Sequence, residues 1–201
     1  MKVNAVVLLL LLCACALACP SNAGAQSLPS TSLTKGTWDL GLSGTGGTSV
    51  SGGVDDVRIF TVGFRVGRIL TNEHGSGFVR GNLEWALDVS PVNVYFTEPE
   101  NVYGASVAPL NLKWNFTSGS RVAPYLQLSE GVLFTNKDLP FPGTSQVNFQ
   151  SGLGLGFHFF TREKRAWTAE VKYQHISSAG LGDLNPGINT VQFTLGYNWF
   201  K

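Results

Sequence analysis

Apolar and polar residues alternate with period two in eight stretches of this chain, most regularly in the last two. From 167 to 177 one set of alternate positions holds Trp167, Ala169, Val171, Tyr173, His175 and Ser177, and the other holds Thr168, Glu170, Lys172 and Gln174. From 191 to 199, Val191, Phe193, Leu195, Tyr197 and Trp199 alternate with Gln192, Thr194, Gly196 and Asn198. Side chains on a strand point alternately to its two faces, so the pattern predicts β-strands with one apolar and one polar side.

Six earlier runs follow the same rule. They are expected at about 35–42, 57–68, 78–89, a segment ending near Phe116, 122–134 and 147–159. In the fifth, Glu130 falls on the apolar face with Leu126, Leu128 and Val132, and a bulge near Gly131 or a strand end there would remove the conflict. In the sixth, the glycines of 152–156 read as small residues on the polar face, because no helix follows them to make a phosphate loop.

Charges separate two architectures. Arg65, Arg80, Lys113 and Lys172 oppose Asp39, Glu84, Asp88 and Glu170, all away from the apolar faces. In a soluble sandwich these groups would be solvated; in a membrane barrel they would pair inside a narrow lumen. The connections alternate long and short, at 43–56, 69–77, 90–103, 117–121, 135–146, 160–166 and 178–188. That rhythm, with eight strands and aromatics near their ends, predicts an all-β, eight-stranded antiparallel up-and-down transmembrane β-barrel.

Composition agrees with that reading. Charged residues make up 13% of the chain, against about 25% in ordinary soluble domains. Lys2, an apolar core from Ala5 to Leu12 and Ala23-Gly24-Ala25 predict a signal peptide over 1–25, a flexible lead-in over 26–34 and a barrel over 35–201. Leu12-Cys13-Ala14-Cys15 offers a looser lipoprotein-type alternative within the leader. Cys13, Cys15 and Cys19 all lie there, so no disulfide is expected in the exported protein. With Lys2 removed, basic and acidic residues balance, which argues against a nucleic-acid partner. His74, His158 and His175 lack metal-ligand spacing, and no metal or cofactor is expected.

With both termini on the periplasmic side, the 178–188 loop would be external and His175 and Ser177 would face the outer leaflet. Spacing i, i+2 puts them on one face, about 6.5 to 7 Å apart at Cα, where a His can activate a Ser hydroxyl. Asn189 shares their parity and is expected opposite Ser177, where it could orient the imidazole. Gly180, Gly182, Gly187 and the Asn185 amide offer backbone freedom and donors for an oxyanion. His-x-Ser also occurs by chance, and both residues are tolerated at a membrane interface, so spacing alone leaves a structural reading open.

The run His175-Ile176-Ser177-Ser178-Ala179-Gly180, followed by Asn185-Pro186-Gly187-Ile188-Asn189, resembles the active-site hairpin of the outer-membrane lipid A 3-O-deacylases (PagL). The resemblance implies an eight-stranded outer-membrane barrel and a serine esterase that removes the 3-O acyl chain from lipid A of lipopolysaccharide in the outer leaflet. It implies Ser177 as nucleophile, His175 as general base, and oxyanion contributors at Gly180 and Asn185. Asn189 stands where that family has Glu. An amide can fix a His tautomer but cannot stabilise an imidazolium by charge. Asp183 is the nearest substitute acid, and Glu170 has lumen parity. The alternative is a small non-catalytic outer-membrane barrel, structural or adhesin-like, that retains the hairpin.

Overall fold

The computed structural model describes residues 33–119 and 121–201. The expected leader and nearly all of the lead-in lie outside the described residues. Eight antiparallel strands form a closed barrel: β1 (Trp38–Val50), β2 (Arg58–Ile69), β3 (Gly81–Phe96), β4 (Val102–Phe116), β5 (Val122–Leu139), β6 (Ser145–Arg162), β7 (Arg165–Ser177) and β8 (Ile188–Phe200). Each strand pairs with its sequence neighbours, and β1 closes on β8 from Asp39↔Phe200 to Val50↔Asn189. Closure leaves no unpaired edge.

The apolar faces point outward. Phe64, Leu128, Phe193 and Leu195 are each at least half exposed on the outer wall. This excludes the sandwich, whose apolar faces would cover one another, and suits contact with lipid.

Inside, charged groups of the polar faces pair with one another, while Asn111 Oδ1 and Asn115 Oδ1 are buried without a partner among the described residues. Lys113 Nζ, fully buried, reaches Glu84 Oε1 at 2.9 Å and Asp39 Oδ2 at 3.3 Å. Arg65 makes a two-pronged pair with Asp88, both contacts at 2.7 Å, and also donates to Gln127. Arg80 does not join them: it precedes β3 in an exposed turn and lies 3.7 Å from Glu73. A side chain at Gly156 would strike the ring of Tyr125, and one at Gly154 would meet the carboxyl of Glu170. The glycines of β6 therefore make room for larger lumen residues.

Two apolar clusters close the lumen. Near the termini, Leu33, Ile69, Ala123, Phe160, Ala166 and Phe200 pack together. At the opposite end, Val57, Ile59, Tyr95, Val102, Leu133, Leu139, Ile176 and Ile188 form a cap. Between them lies a polar cavity of about 110 Å³ lined by groups such as Arg65, Asp88, Gln127 and Glu170.

Strand lengths depart from expectation at this capped end. The connections are 51–57, 97–101 and 140–144, much shorter than the predicted 43–56, 90–103 and 135–146. Gly44 to Val50 lose the apolar alternation, yet pair with β8 on one side, and as far as Thr48 with β2 on the other. A closed ladder supplies hydrogen bonds regardless of side-chain pattern. At the other end the 70–80 connection, which includes a 3-10 turn at Gly77–Val79, is longer than the predicted 69–77.

The irregularity predicted at Gly131 sits on the neighbouring strand. β5 and β6 pair without a break from Val122↔Phe159 to Phe134↔Val147. The register shift lies between Val107 and Leu110 of β4, where Ala108 and Pro109 bulge opposite Gly131. A side chain at Gly131 would collide with the Val107 carbonyl and Ala108. Glu130 therefore keeps its outward parity and is exposed.

Candidate functional site

β7 and β8 carry the hairpin, and the cap beneath it sets its geometry. Ile176 and Ile188 are Cα partners, each 1% exposed, and both point inward into the upper cluster. Alternation then forces His175 and Ser177 outward on either side of Ile176. Both are partly exposed on the outer wall.

The register corrects one expectation. Asn189 faces His175, not Ser177, and the residue across from Ser177 on the other side is Phe149 of β6. His175 Nδ1 and Asn189 Oδ1 are 2.7 Å apart. A carbonyl oxygen only accepts, so Nδ1 carries the proton and donates it. In the neutral ring Nε2 is then the nitrogen that bears the lone pair a base needs. Among the described residues no hydrogen bond joins Ser177 to His175, and such contacts are often loose before substrate binds.

Glycines shape the space around this pair. Gly187 has φ +68, and a Cβ there would lie 2.9 Å from His175 Cε1. Gly52, φ +104, comes from the 51–57 loop, and a Cβ on it would lie 2.9 Å from Asn189 Nδ2. Val54 N donates to Gly187 O at 2.9 Å, tying that loop to the start of β8. Asn189 is consequently buried, 8% exposed. The role of Gly52 was not legible in the sequence, since it lies far from the hairpin along the chain.

The loop residues fall into two groups. Asn185 Oδ1 accepts from both the backbone N and the hydroxyl of Ser178, at 3.0 and 3.1 Å. This clasp turns the chain through Ala179 (φ 50) and Gly180 (φ 85). Nothing lies within 4 Å of the position a Cβ would take on Gly180, so the space beside this turn is open. Gly182 instead packs on the Thr144 carbonyl, and Leu184 N donates to Gly143 O at 3.0 Å, docking the loop on the 140–144 turn. Asp183 is exposed and is not hydrogen-bonded to His175, whose Nδ1 is taken by Asn189. Glu170 lies in the lumen, accepting from Tyr125 Oη at 3.0 Å. His158 is likewise a lumen residue, 2.7 Å from Thr168 Oγ1 and 3.4 Å from Lys113 Nζ.

A family model described as Lipid A 3-O-deacylase (PagL) matches residues 59–198. Among solved structures, the outer membrane enzyme PagL superposes with a TM-score of 0.57 at 19% identity, covering 78% of this chain and 97% of that one. The N-terminal β-barrel domain of Pseudomonas aeruginosa OprF gives 0.52 at 15% identity, covering 82% and 98%. Neisserial surface protein A gives 0.50 at 15%, covering 81% and 95%. At these identities the structural matches speak for the barrel alone. No curated protein matches the sequence.

Proposed function

The chain belongs to the lipid A 3-O-deacylase (PagL) family, a lipid A deacylase-like protein of the outer membrane, and from that premise we propose a serine-dependent esterase acting at the 3-O position. Ser177 Oγ attacks the ester carbonyl of an acyl chain lying against the apolar wall of β7 and β8, while His175 Nε2 takes its proton. The tetrahedral oxyanion is met by donors of the turn at Gly180 and by the Asn185 side-chain amide. Collapse breaks the ester bond, and His175 returns the proton to the departing sugar oxygen. Water, deprotonated by the same nitrogen, then hydrolyses the acyl-Ser177 and releases a fatty acid. No cofactor enters these steps.

The observation that carries this reading is the 2.7 Å contact from His175 Nδ1 to Asn189 Oδ1, on the lipid-facing wall beside Ser177. It supports a base with its free nitrogen turned toward a substrate in the outer leaflet. The test compares lipid A from cells making the wild type and Ser177→Ala, by mass spectrometry. Loss of one 3-linked acyl chain in the wild type, reduced at least about a thousandfold in the variant, is expected. Unaltered lipid A beside folded wild-type protein would favour the non-catalytic barrel that Asn189, in place of Glu, raises as the alternative. Equal loss in both would remove Ser177 from the mechanism.

A further inference from the structure

On the outer wall, β2 to β4 are apolar at the outward positions between the strand ends and β1 turns to Gly44, Gly46 and Thr48 in its second half, whereas β5 to β8 carry Glu130, Ser151, His175, Ser177 and Asn189. The register gathers four of these into one row: Glu130 faces Ser151, Ser151 faces His175, and His175 faces Asn189. Ser151 Oγ donates to Glu130 Oε2 at 2.7 Å, just as His175 and Asn189 are joined at 2.7 Å.

Glu130 is costly where it stands. Leu110 faces it from β4, and Leu128 lies two residues below on its own strand, both exposed on the same wall. Among the described residues it has no salt-bridge partner. A carboxylate on a lipid-facing strand is destabilising, and an intramembrane ionisable group signals function. At the far end of the same row Asn189 holds the imidazole but brings no charge.

We propose that Glu130, held by the Ser151 hydroxyl, is the acidic positioning residue of this site. Its negative charge stabilises the imidazolium that forms when His175 deprotonates Ser177. The inference rests on the Ser177 and His175 roles proposed above. Neighbouring strands lie about 5 Å apart, so Glu130 and His175, two strands apart, stand about 10 Å from each other at Cα, with the Ser151 hydroxyl holding the carboxylate on the near side. On the lipid side that distance is weakly screened. Of the other titratable groups on this side, Tyr173 lies two residues below His175 and Asp183 in the loop above, while Tyr197 sits lower on β8 and Tyr103 and Lys137 lie toward the ends of β4 and β5.

The test uses folded, full-length protein in detergent micelles and reads two quantities. One is the rate at which a long-chain fluorophosphonate labels Ser177; the other is kcat and KM on lipid A. Glu130→Gln is expected to lower labelling rate and kcat roughly tenfold with KM unchanged, and Glu130→Asp to retain most of both. Ser151→Ala, which frees the carboxylate, should lose less. Asn189→Glu in the Glu130→Gln background should restore the rate, because the charge is then supplied from β8. Unchanged labelling in Glu130→Gln overturns the proposal, as does a loss that Asn189→Glu fails to restore. A wild type that is labelled at Ser177 but spares lipid A sinks the deacylase reading while the labelling ratios still decide on Glu130. A wild type that resists labelling overturns both.

Discussion

The barrel holds two polar clusters, one around Lys113 in the lumen and one around His175 on the outer wall, and they are built on opposite terms. In the lumen the charges answer each other: Lys113 lies between Asp39 and Glu84, and Arg65 grips Asp88. Asp39, Glu84 and Lys113 are fully buried. On the wall, Glu130 has a hydroxyl for a partner, His175 an amide, and Ser177 is partly exposed. Polar groups that satisfy one another hold a structure together, whereas polar groups left open toward lipid are available to a substrate. Polar side chains therefore serve stability in the lumen and, in the mechanism proposed above, chemistry on the wall.

The strongest way to break this contrast is to attack the lumen. Lys113→Leu leaves Asp39 and Glu84 without their shared cation, and unfolding in micelles should become easier by about 3 to 5 kcal/mol, read from the denaturant midpoint. Its kcat, measured on the fraction that stays folded, should match the wild type; a selective loss of kcat would show that the clusters are coupled. Gly187→Ala attacks the wall. Its φ of +68 and the contact with His175 Cε1 predict a roughly tenfold fall in turnover, with stability reduced by about 1 kcal/mol. The smallest effect sharpens the comparison: Asn189→Glu, giving His175 a charged partner of the kind the lumen uses, should raise kcat a few fold in a lipid A assay. Unchanged turnover there would mean that charge does not limit this site.

Legibility in the sequence followed how local each feature is. Alternation at Phe60 to Val66 or Phe193 to Trp199 is a property of neighbouring residues, and strand number, outward parity and the outward placement of His175 and Ser177 followed from it. The pairing of lumen charges was legible as a requirement, though not which partner each would take: Arg80 leaves the barrel for Glu73. Strand ends above the apolar band were not legible, because Gly44 to Val50 are held by the ladder of β2 and β8 and not by their own side chains. The oxyanion assignments at Gly180 and Asn185 remain proposals, supported by an open turn and a clasp on Ser178.

By itself, then, the chain determined a closed eight-stranded barrel and the face on which its His and Ser lie, because a two-residue period is written into consecutive side chains. Register across strands was decided only in three dimensions. It moved Asn189 from Ser177 to His175, brought Gly52 against Asn189, and shifted the bulge from Gly131 to Ala108 and Pro109. With the bulge on β4, Glu130 stayed on the outer wall in line with Ser151 and His175. That alignment depends on pairing among three strands, and no periodicity within any one of them encodes it.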